Sequence, residues 1–516
     1  MRRPAGIDSV TDAMTSTVLS VQQWLNATYR AVAGYEKCPE DGVPGRSTTF
    51  ALIRALQHEL GITTLADNFG PSTLAALDQR GGVRRDDPAP NLVRIVQSGL
   101  ICRGYDIAAL DGSFGRSTDA AITAFTADTG ATAPADGSFS PKLLKALLSL
   151  DSHRLARGGD RQVRALQQWL NGQYPARRDF FVGATDGLVS RDLVTAVSYA
   201  IQFELGMTDD NATGTFGPAT RAGLKTHTVA EGDTGVWTRL YTAGLVMNGH
   251  GSFTGVFGSA IAAATRRFQE FAALEVTGKG DFPTWALLMA SNGDPDGPGA
   301  ACDCATTVTP ARAKALHDAG YRFVGRYLDQ RPESKLDKKI KPGELQVIFD
   351  SGLKVFPISQ YAGDSLGYFT REQGRQDAAD AHQAAAGYGF PPGTVIYFAV
   401  DFDATRADVD SNVVPYFEGV VAGLAAAGHR YRHGVYGARD VCAQVSARTH
   451  ACYSFVAGMS TGYAGNKGFP LPENWAFNQV QTLWVGDGDG RVQIDKNTYR
   501  PGSDPGVASV TAGASE

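Results

Sequence analysis

Asp401 and Asp403 end an apolar run, TVIYFAVDFDAT (394–405), with one residue between them. A short continuous run of β-branched and aromatic residues predicts a strand buried on both faces, as in a parallel sheet. Residues two apart on a strand face the same way, so both carboxylates project from one face, roughly 6–7 Å apart along the backbone. Acids at the end of a buried strand cost free energy unless something uses them. In barrel enzymes the C-terminal strand ends carry the catalytic groups, and paired acids suit proton transfer. The plain alternative is an acidic strand-to-loop turn, where Asp is common.

The surrounding pattern says what must position this pair. SNGDPDGPGA (291–300) has linker composition. Beyond it strand-like and helix-like segments alternate: ACDCA, YRFVGRYL, LKVFPISQYAG, TVIYFAVDFD, RHGVYGA, YSFVAGMS, AFNQVQ and VQIDKNTY, with clear helices between the first five. Alternation of this kind predicts a parallel sheet, and eight units predict a small (β/α)8-type barrel over residues 301–503 with degenerate late helices.

Through AGYRFVGRYL, LKVFPISQY, PPGTVIYFAVDFD, GVYGA and the closing QIDKN, this domain resembles the glycoside-hydrolase-like family known as domain of unknown function 1906. That family is related to the family 25 lysozymes, barrels that cut the glycan strand of peptidoglycan. The resemblance implies a carboxylate cluster made of Asp303 on the first strand, Asp401 and Asp403 on the fourth, and Asp495 on the eighth, with Gln479 near the seventh. In this chain Asp403 stands where the lysozymes carry the proton-donating Glu, shorter by one methylene. The expected roles are Asp403 as general acid, its pKa raised by Asp401 and Asp303, and Asp401 as charge stabiliser or water activator. Asp303 and Asp495 would tune and position. Gln479, Gln360, Tyr361, Tyr436 and Trp475 are the candidate sugar contacts, and ordinary packing is the rival account of each aromatic.

The first 290 residues are internally repeated. DGVPGRSTTFALIRALQHELGI (41–62) aligns with DGLVSRDLVTAVSYAIQFELGM (186–207), and NFGPSTLAAL (68–77) with TFGPATRAGL (215–224). A second pair alternates with the first: LDGSFGRSTDAAITAFTADTG (110–130) with FTGVFGSAIAAATRRFQEFAA (253–273), and ADGSFSPKLLKALL (135–148) with GKGDFPTWALLM (278–289). Each copy predicts three short helices, with Asp-Gly or Thr-Gly turns and a Ser or Thr cap before the second helix. The motifs DGSFGRST and RRFQEF resemble the peptidoglycan-binding-domain-1-like fold, whose signature is D-G-x-F-G-x-x-T followed by a helix ending in F-Q. The expected organisation is multidomain: all-α three-helix modules at 15–80, 88–150, 160–228 and 233–291, a linker at 292–300, the α/β barrel, and a disordered tail at 504–516.

Other features bound the function. A net charge of −5 leaves no footprint for nucleic acid, and no apolar stretch reaches membrane-spanning length. The N-terminus shows two arginines without a signal-peptide core, so the export route is not visible. Cys442–Cys452 is the readiest disulfide and Cys38–Cys102 a weaker one, with buried free thiols the equal alternative. No Cys or His spacing fits a metal, Asp487-Gly-Asp489-Gly reads as a turn rather than a calcium loop, and no G-x-S-x-G elbow occurs. A peptidase or amidase is therefore disfavoured, and no cofactor is expected. The reading is a monomeric, secreted or wall-associated, lysozyme-like hydrolase whose modules bind peptidoglycan or a related wall glycan. The alternative is a non-catalytic glycan-binding scaffold with a degenerate site.

Overall fold

The computed structural model of the protein describes residues 7–132, 137–331 and 336–511, with side chains from residue 18. The chain makes two units, one ending at Leu188 but including Met207–Thr213, the other built from Val189–Gly206 and from Gly214 onward.

The first unit is helical: α1 (Ile7–Tyr29), α2 (Arg46–Glu59), α3 (Pro71–Arg80), α4 (Pro90–Cys102), α5 (Arg116–Thr129), α6 (Pro141–Leu147) and α7 (Arg161–Gln173). Pro71, Pro90 and Pro141 sit in first helical turns, where a missing N–H leaves nothing unpaired. Helices α1 to α6 share one apolar core, in which Leu25, Leu56, Val96, Leu100, Phe125 and Leu144 are buried together. A lone three-helix module of 60–70 residues is marginal by size. Here the first two copies pool their apolar surface instead of folding as separate beads.

A repeated polar latch fixes each helix to its loop. Gln22, Gln97 and Gln167 are buried; each accepts a hydrogen bond from the Gly of its Asp-Gly turn (Gly42 2.8 Å, Gly112 3.0 Å, Gly187 2.8 Å) and donates to the Asp beside it. The second unit repeats the device, with Gln202 accepting from Gly214 at 2.9 Å and Gln269 from Gly278 at 2.8 Å. The Thr of the D-G-x-F-G-x-x-T signature is not the expected helix cap. Gly115 occupies the cap of α5, and Thr118 turns inward to accept from Gln97 at 3.2 Å. Thr48, Thr220 and Thr284 accept from Gln22, Gln202 and Gln269 in the same way.

The second unit opens with α8 (Arg191–Glu204), α9 (Pro218–Leu224), α10 (Val236–Met247), α11 (Ser259–Phe271) and α12 (Phe282–Met289). It continues into β1 (Ala301–Asp303), α13 (Pro310–Asp318), β2 (Phe323–Tyr327), α14 (Glu344–Asp350), β3 (Lys354–Ser359), α15 (Arg371–Gly387) and β4 (Val395–Ala399). A short α16 (Arg406–Asp408) runs through one π turn into α17 (Val414–Ala426), followed by β5 (Arg432–Gly437), α18 (Arg439–Thr449), β6 (Ser454–Val456), β7 (Trp475–Val485) and β8 (Val492–Tyr499). The eight strands close a barrel in chain order. Strands β1 to β7 run parallel, while β8 is antiparallel to both β7 and β1. The reversal has a simple cause: only residues 486–491 join β7 to β8, too few for the crossover that a parallel pair needs. Phe356, Phe455 and Phe477 fill the interior, Phe356 stacked on Phe477 with centroids 4.1 Å apart.

The structure revises the linker and the tail and decides between the two readings of the cysteines. The 291–300 segment is pinned along its length: Ser291 Oγ donates to Gly458 O (2.6 Å), Arg221 to Gly293 O (2.6 Å) and Lys496 Nζ to Gly297 O (2.8 Å). The tail is held as far as Thr511, through the Val355–Val507 bridge and a hydrogen bond from Thr511 N to Gly389 O (2.9 Å); residues 512–516 lie outside the described residues. All six cysteines are free thiols, with Cys442 buried and its Sγ 3.4 Å from Gly437 O. Among the described residues no helix is long and apolar enough to cross a membrane.

Gln97→Leu removes the latch of the second module and strands the Gly112 N–H. Hydrogen exchange across residues 110–118 is expected to accelerate by about ten- to a hundredfold, the cost of one unsatisfied buried donor. Thr123→Ala, whose hydroxyl only bonds back to Asp119 O, should leave that segment unchanged.

Candidate active site

Barrel closure brings acids from distant segments to the C-terminal strand ends. Asp303 ends β1 and stands directly opposite Asp495 of β8 in the antiparallel ladder. Gly325, its partner on β2, leaves the room: a Cβ there would lie 2.8 Å from the Asp303 Cβ and 2.6 Å from the Phe356 ring. Asp303 is buried, and amides surround it. Asn497 Nδ2 donates at 2.9 Å and Gln479 Nε2 at 3.2 Å, while the same Gln479 nitrogen reaches Asp495 at 3.3 Å. Tyr436 of β5 orients that amide by donating to Gln479 Oε1 at 2.9 Å. Thr482 of β7 donates to the other Asp495 oxygen.

Asp401 follows β4 and is half-buried. Its main-chain N–H donates to Gly363 O (2.7 Å), an approach that a side chain at position 363 would obstruct, since a Cβ there would lie 2.8 Å from Ala399 O. Gln360 Nε2 donates to the Asp401 carboxylate at 3.2 Å, and Lys338 Nζ donates to Gln360 Oε1 at 3.0 Å. Lys338 also lies over the Tyr327 ring, 4.3 Å from its centroid. Behind them Asp329 is buried, accepting from Ser359 Oγ (2.8 Å) and Gln360 N (3.0 Å). Asp401, Gln360, Tyr361 and Lys338 line an open cleft of about 260 Å³.

Electrostatics follow from this burial. Desolvation pushes the Asp303 carboxyl up, and the Asp495 charge pushes it further; the Asn497 and Gln479 amides pull against both. Asp495 is raised by desolvation against the pull of Thr482, and Asp401 is raised by desolvation against Gln360 and Lys338. Desolvation lowers Lys338 to about 8, with Asp329 and Asp401 opposing. The site therefore holds protons on carboxyls where water would remove them, and it can place an acid and a carboxylate near one bound molecule.

The structure sets two of the sequence-based candidates apart from the others. Asp403 is exposed and accepts a hydrogen bond from Ala464 N in the loop after β6, so it latches that loop instead of joining the cluster. Tyr463 of the same loop donates to Asp401 O at 3.4 Å. Trp475 begins β7, at the opposite end of the barrel from the acids; it is buried, and its Nε1 donates to Phe271 O of α11 at 3.0 Å. Asp303, Asp495, Gln479 and Tyr436 meet in one network, and Asp401, Gln360 and Tyr361 meet at the cleft. Sequence reasoning missed Asn497, although it lies two residues beyond Asp495 on the same strand face. It also missed Asp329, which follows β2 as Asp401 follows β4. Nothing in the sequence around Lys338 marks it.

Comparison with known proteins bears on both halves of the chain. A family model described as Rv2525c-like, glycoside hydrolase-like domain matches residues 314–499. One described as FadG/YbfG, PGDB-like domain matches 12–87 and 156–289. The uncharacterized protein FadG of Bacillus subtilis is 45% identical over 507 residues, covering 98% of this chain and 88% of that protein. The uncharacterized protein YbfG of the same organism is 40% identical over 507 residues, covering 96% of this chain and 68% of its own length. A crystal structure of the Mycobacterium tuberculosis Tat-secreted protein Rv2525c, in complex with HEPES, overlaps 39% of this chain and 95% of that one, at 25% identity and a TM-score of 0.33.

The raised carboxyls tie stability to pH. An acid whose folded pKa exceeds its unfolded value contributes stability that is fully present below the unfolded pKa and is lost as pH rises through the folded one. For Asp303 that window runs upward from 3.8. Asp303→Asn removes the charge with little change of shape. It is expected to raise the melting temperature at pH 8 and to flatten the decline between pH 4 and 8, by at least about 2 kcal/mol at the alkaline end. Thermal melts across that range check it.

Proposed function

The chain belongs to the family of FadG and YbfG, and from that premise we propose that it is a glycoside hydrolase acting on peptidoglycan or a related wall glycan outside the cell membrane. One observation carries the proposal: the half-buried Asp401 carboxyl, its pKa raised by desolvation, lines an open cleft within electrostatic reach of Asp495 and Asp303. Asp401 then takes the acid role that the lysozyme resemblance assigns to Asp403. It donates its proton to the glycosidic oxygen as the bond breaks. The Asp303–Asp495 pair, where it carries negative charge, stabilises the positive charge that develops on the sugar ring. Gln360 and Lys338 hold the Asp401 carboxyl in place, and Tyr361 offers a face for a pyranose ring.

The helical repeats support the choice of polymer. Their match to a PGDB-like family, together with the recurring Asp-Gly turns, favours wall binding, and several weak sites on one chain raise the effective concentration at an insoluble substrate. A second reading, glycan binding without cleavage, is favoured by the engagement of Asp403 with Ala464 N, since the position of the lysozyme proton donor is then spent on a loop.

Release of new reducing ends from purified peptidoglycan separates the two. Asp401→Asn is expected to lower release by about a hundredfold or more, as for loss of a general acid, while Asp403→Asn retains most of it. Loss on Asp403→Asn alone would return the acid role to that residue. No release by the wild type, with binding to the wall intact, would establish the second reading.

A further inference from the structure

A cavity of about 440 Å³ in the second unit is separate from the cleft at the acids. It lies where α8, α9 and α12 meet the start of α18 and the loop between β6 and β7, and Arg191, Arg221, Arg439 and Lys467 all line it. None of the described residues lining it is an acid, and none of these four cations forms an ion pair among the described residues. We propose that this cavity is a binding site for a phosphate group, carried by an anionic wall polymer or free in solution.

Arg439 is the central observation. It is 3% exposed, and its Nη1 donates to Phe469 O (2.8 Å) and its Nη2 to Ser291 O (3.3 Å), which holds the guanidinium rigidly. Its Nε is buried with no hydrogen-bond partner. Burial alone lowers its pKa, with no carboxylate acting in the other direction. A buried guanidinium with no carboxylate partner is strongly unfavourable, and an oxyanion in the cavity that Arg439 lines would offset its charge. The other cations point the same way. Arg191 and Lys467 both line the cavity; burial lowers the Lys467 pKa, and the Arg191 charge lowers it further. Arg221 is desolvated, donates to Gly293 O and Asn292 Oδ1 (2.9 Å), and stacks over Phe216 at 5.0 Å. Acids act on this region only from outside the lining: Asp192 on Lys467, and Asp294 and Asp296 on Arg221. Several guanidinium forks around one space suit a tetrahedral anion with several oxygens better than a single carboxylate. Asn248 and Asn466 supply neutral amides for sugar or glycerol hydroxyls attached to it.

The position gives the site a use that a surface patch would lack. Lys467 and Gly468 belong to the loop whose Ala464 N holds Asp403 and whose Tyr463 holds the Asp401 backbone. A phosphate bound here would anchor the wall between the helical repeats of this unit and the barrel, beside the loop that borders the acids.

Calorimetry on the full chain tests the assignment with inorganic phosphate, glycerol 3-phosphate and the diester glycerophosphoglycerol, against acetate at matched ionic strength. Phosphate and at least one ester are expected to bind the wild type. The double variant Arg191→Ala/Lys467→Ala, at positions that are exposed and half-buried, is expected to weaken binding by about tenfold or more and to melt as the wild type does. Arg439→Met gives a second reading if it folds, with binding lost. Diester binding as tight as that of phosphate assigns the site to a polymer, and binding of phosphate and monoester alone assigns it to the free anion. The proposal is overturned if none of the three binds, if acetate binds equally well, or if the double variant binds as the wild type does.

Discussion

Asp303 and Asp495 face each other across the seam where the last strand closes the barrel on the first, and the site depends on that juxtaposition. Two carboxylates so placed repel and lose hydration, so the fold must answer both costs. It does so with amides: Gln479 reaches both acids and Asn497 reaches one, while Tyr436 fixes the Gln479 amide by taking its carbonyl. Neutral donors leave the pair short of full compensation, so both carboxyls sit above the usual carboxylate range. A nearby arginine would have satisfied the charge and lowered both pKa values. Arg326 of β2 is instead spent on Glu344 and Cys304 O, which holds the loops after β1 and β2.

The same use of neutral amides governs the helical repeats. A glutamine side chain offers donors and an acceptor without a charge to desolvate, so it can be buried wherever a turn presents a free N–H and a hydroxyl or carbonyl. Gln22, Gln97, Gln202 and Gln269 meet that condition in successive copies. Duplication could spread the motif because each latch is local, joining one helix to the loop that follows it. The apolar core is not local, and the first two copies merge there.

In the second unit the segment from Ser291 to Gly297 ties helical repeats to barrel through main-chain carbonyls received by Arg221, Arg439 and Lys496. Gly, Pro and Asp favour irregular backbone, and irregular backbone leaves carbonyls free to bond. Composition alone cannot distinguish a free linker from one whose carbonyls have found cations elsewhere in the chain. Two of the cations that line the positive cavity, Arg221 and Arg439, are among those that hold this segment.

The sequence by itself determined the eight strands, the helices between the early ones, the helical N-terminal region and the acids at 303, 401 and 495, within or just after strands. Each of these is written in local signals: apolar runs, three- and four-residue spacing, Asp-Gly turns, and acids just past strand ends. Tertiary structure alone decided which acids serve together. Asp401 and Asp403 are equivalent by spacing, yet the loop after β6 claims Asp403 through Ala464 N and leaves Asp401 at the cleft. Trp475 carries an aromatic face suited to a sugar, and closure of the barrel puts it at the far end, against Phe271. Strand spacing tells which face a side chain takes; which residue of another segment arrives at that face depends on barrel closure and loop path, and no local pattern encodes either.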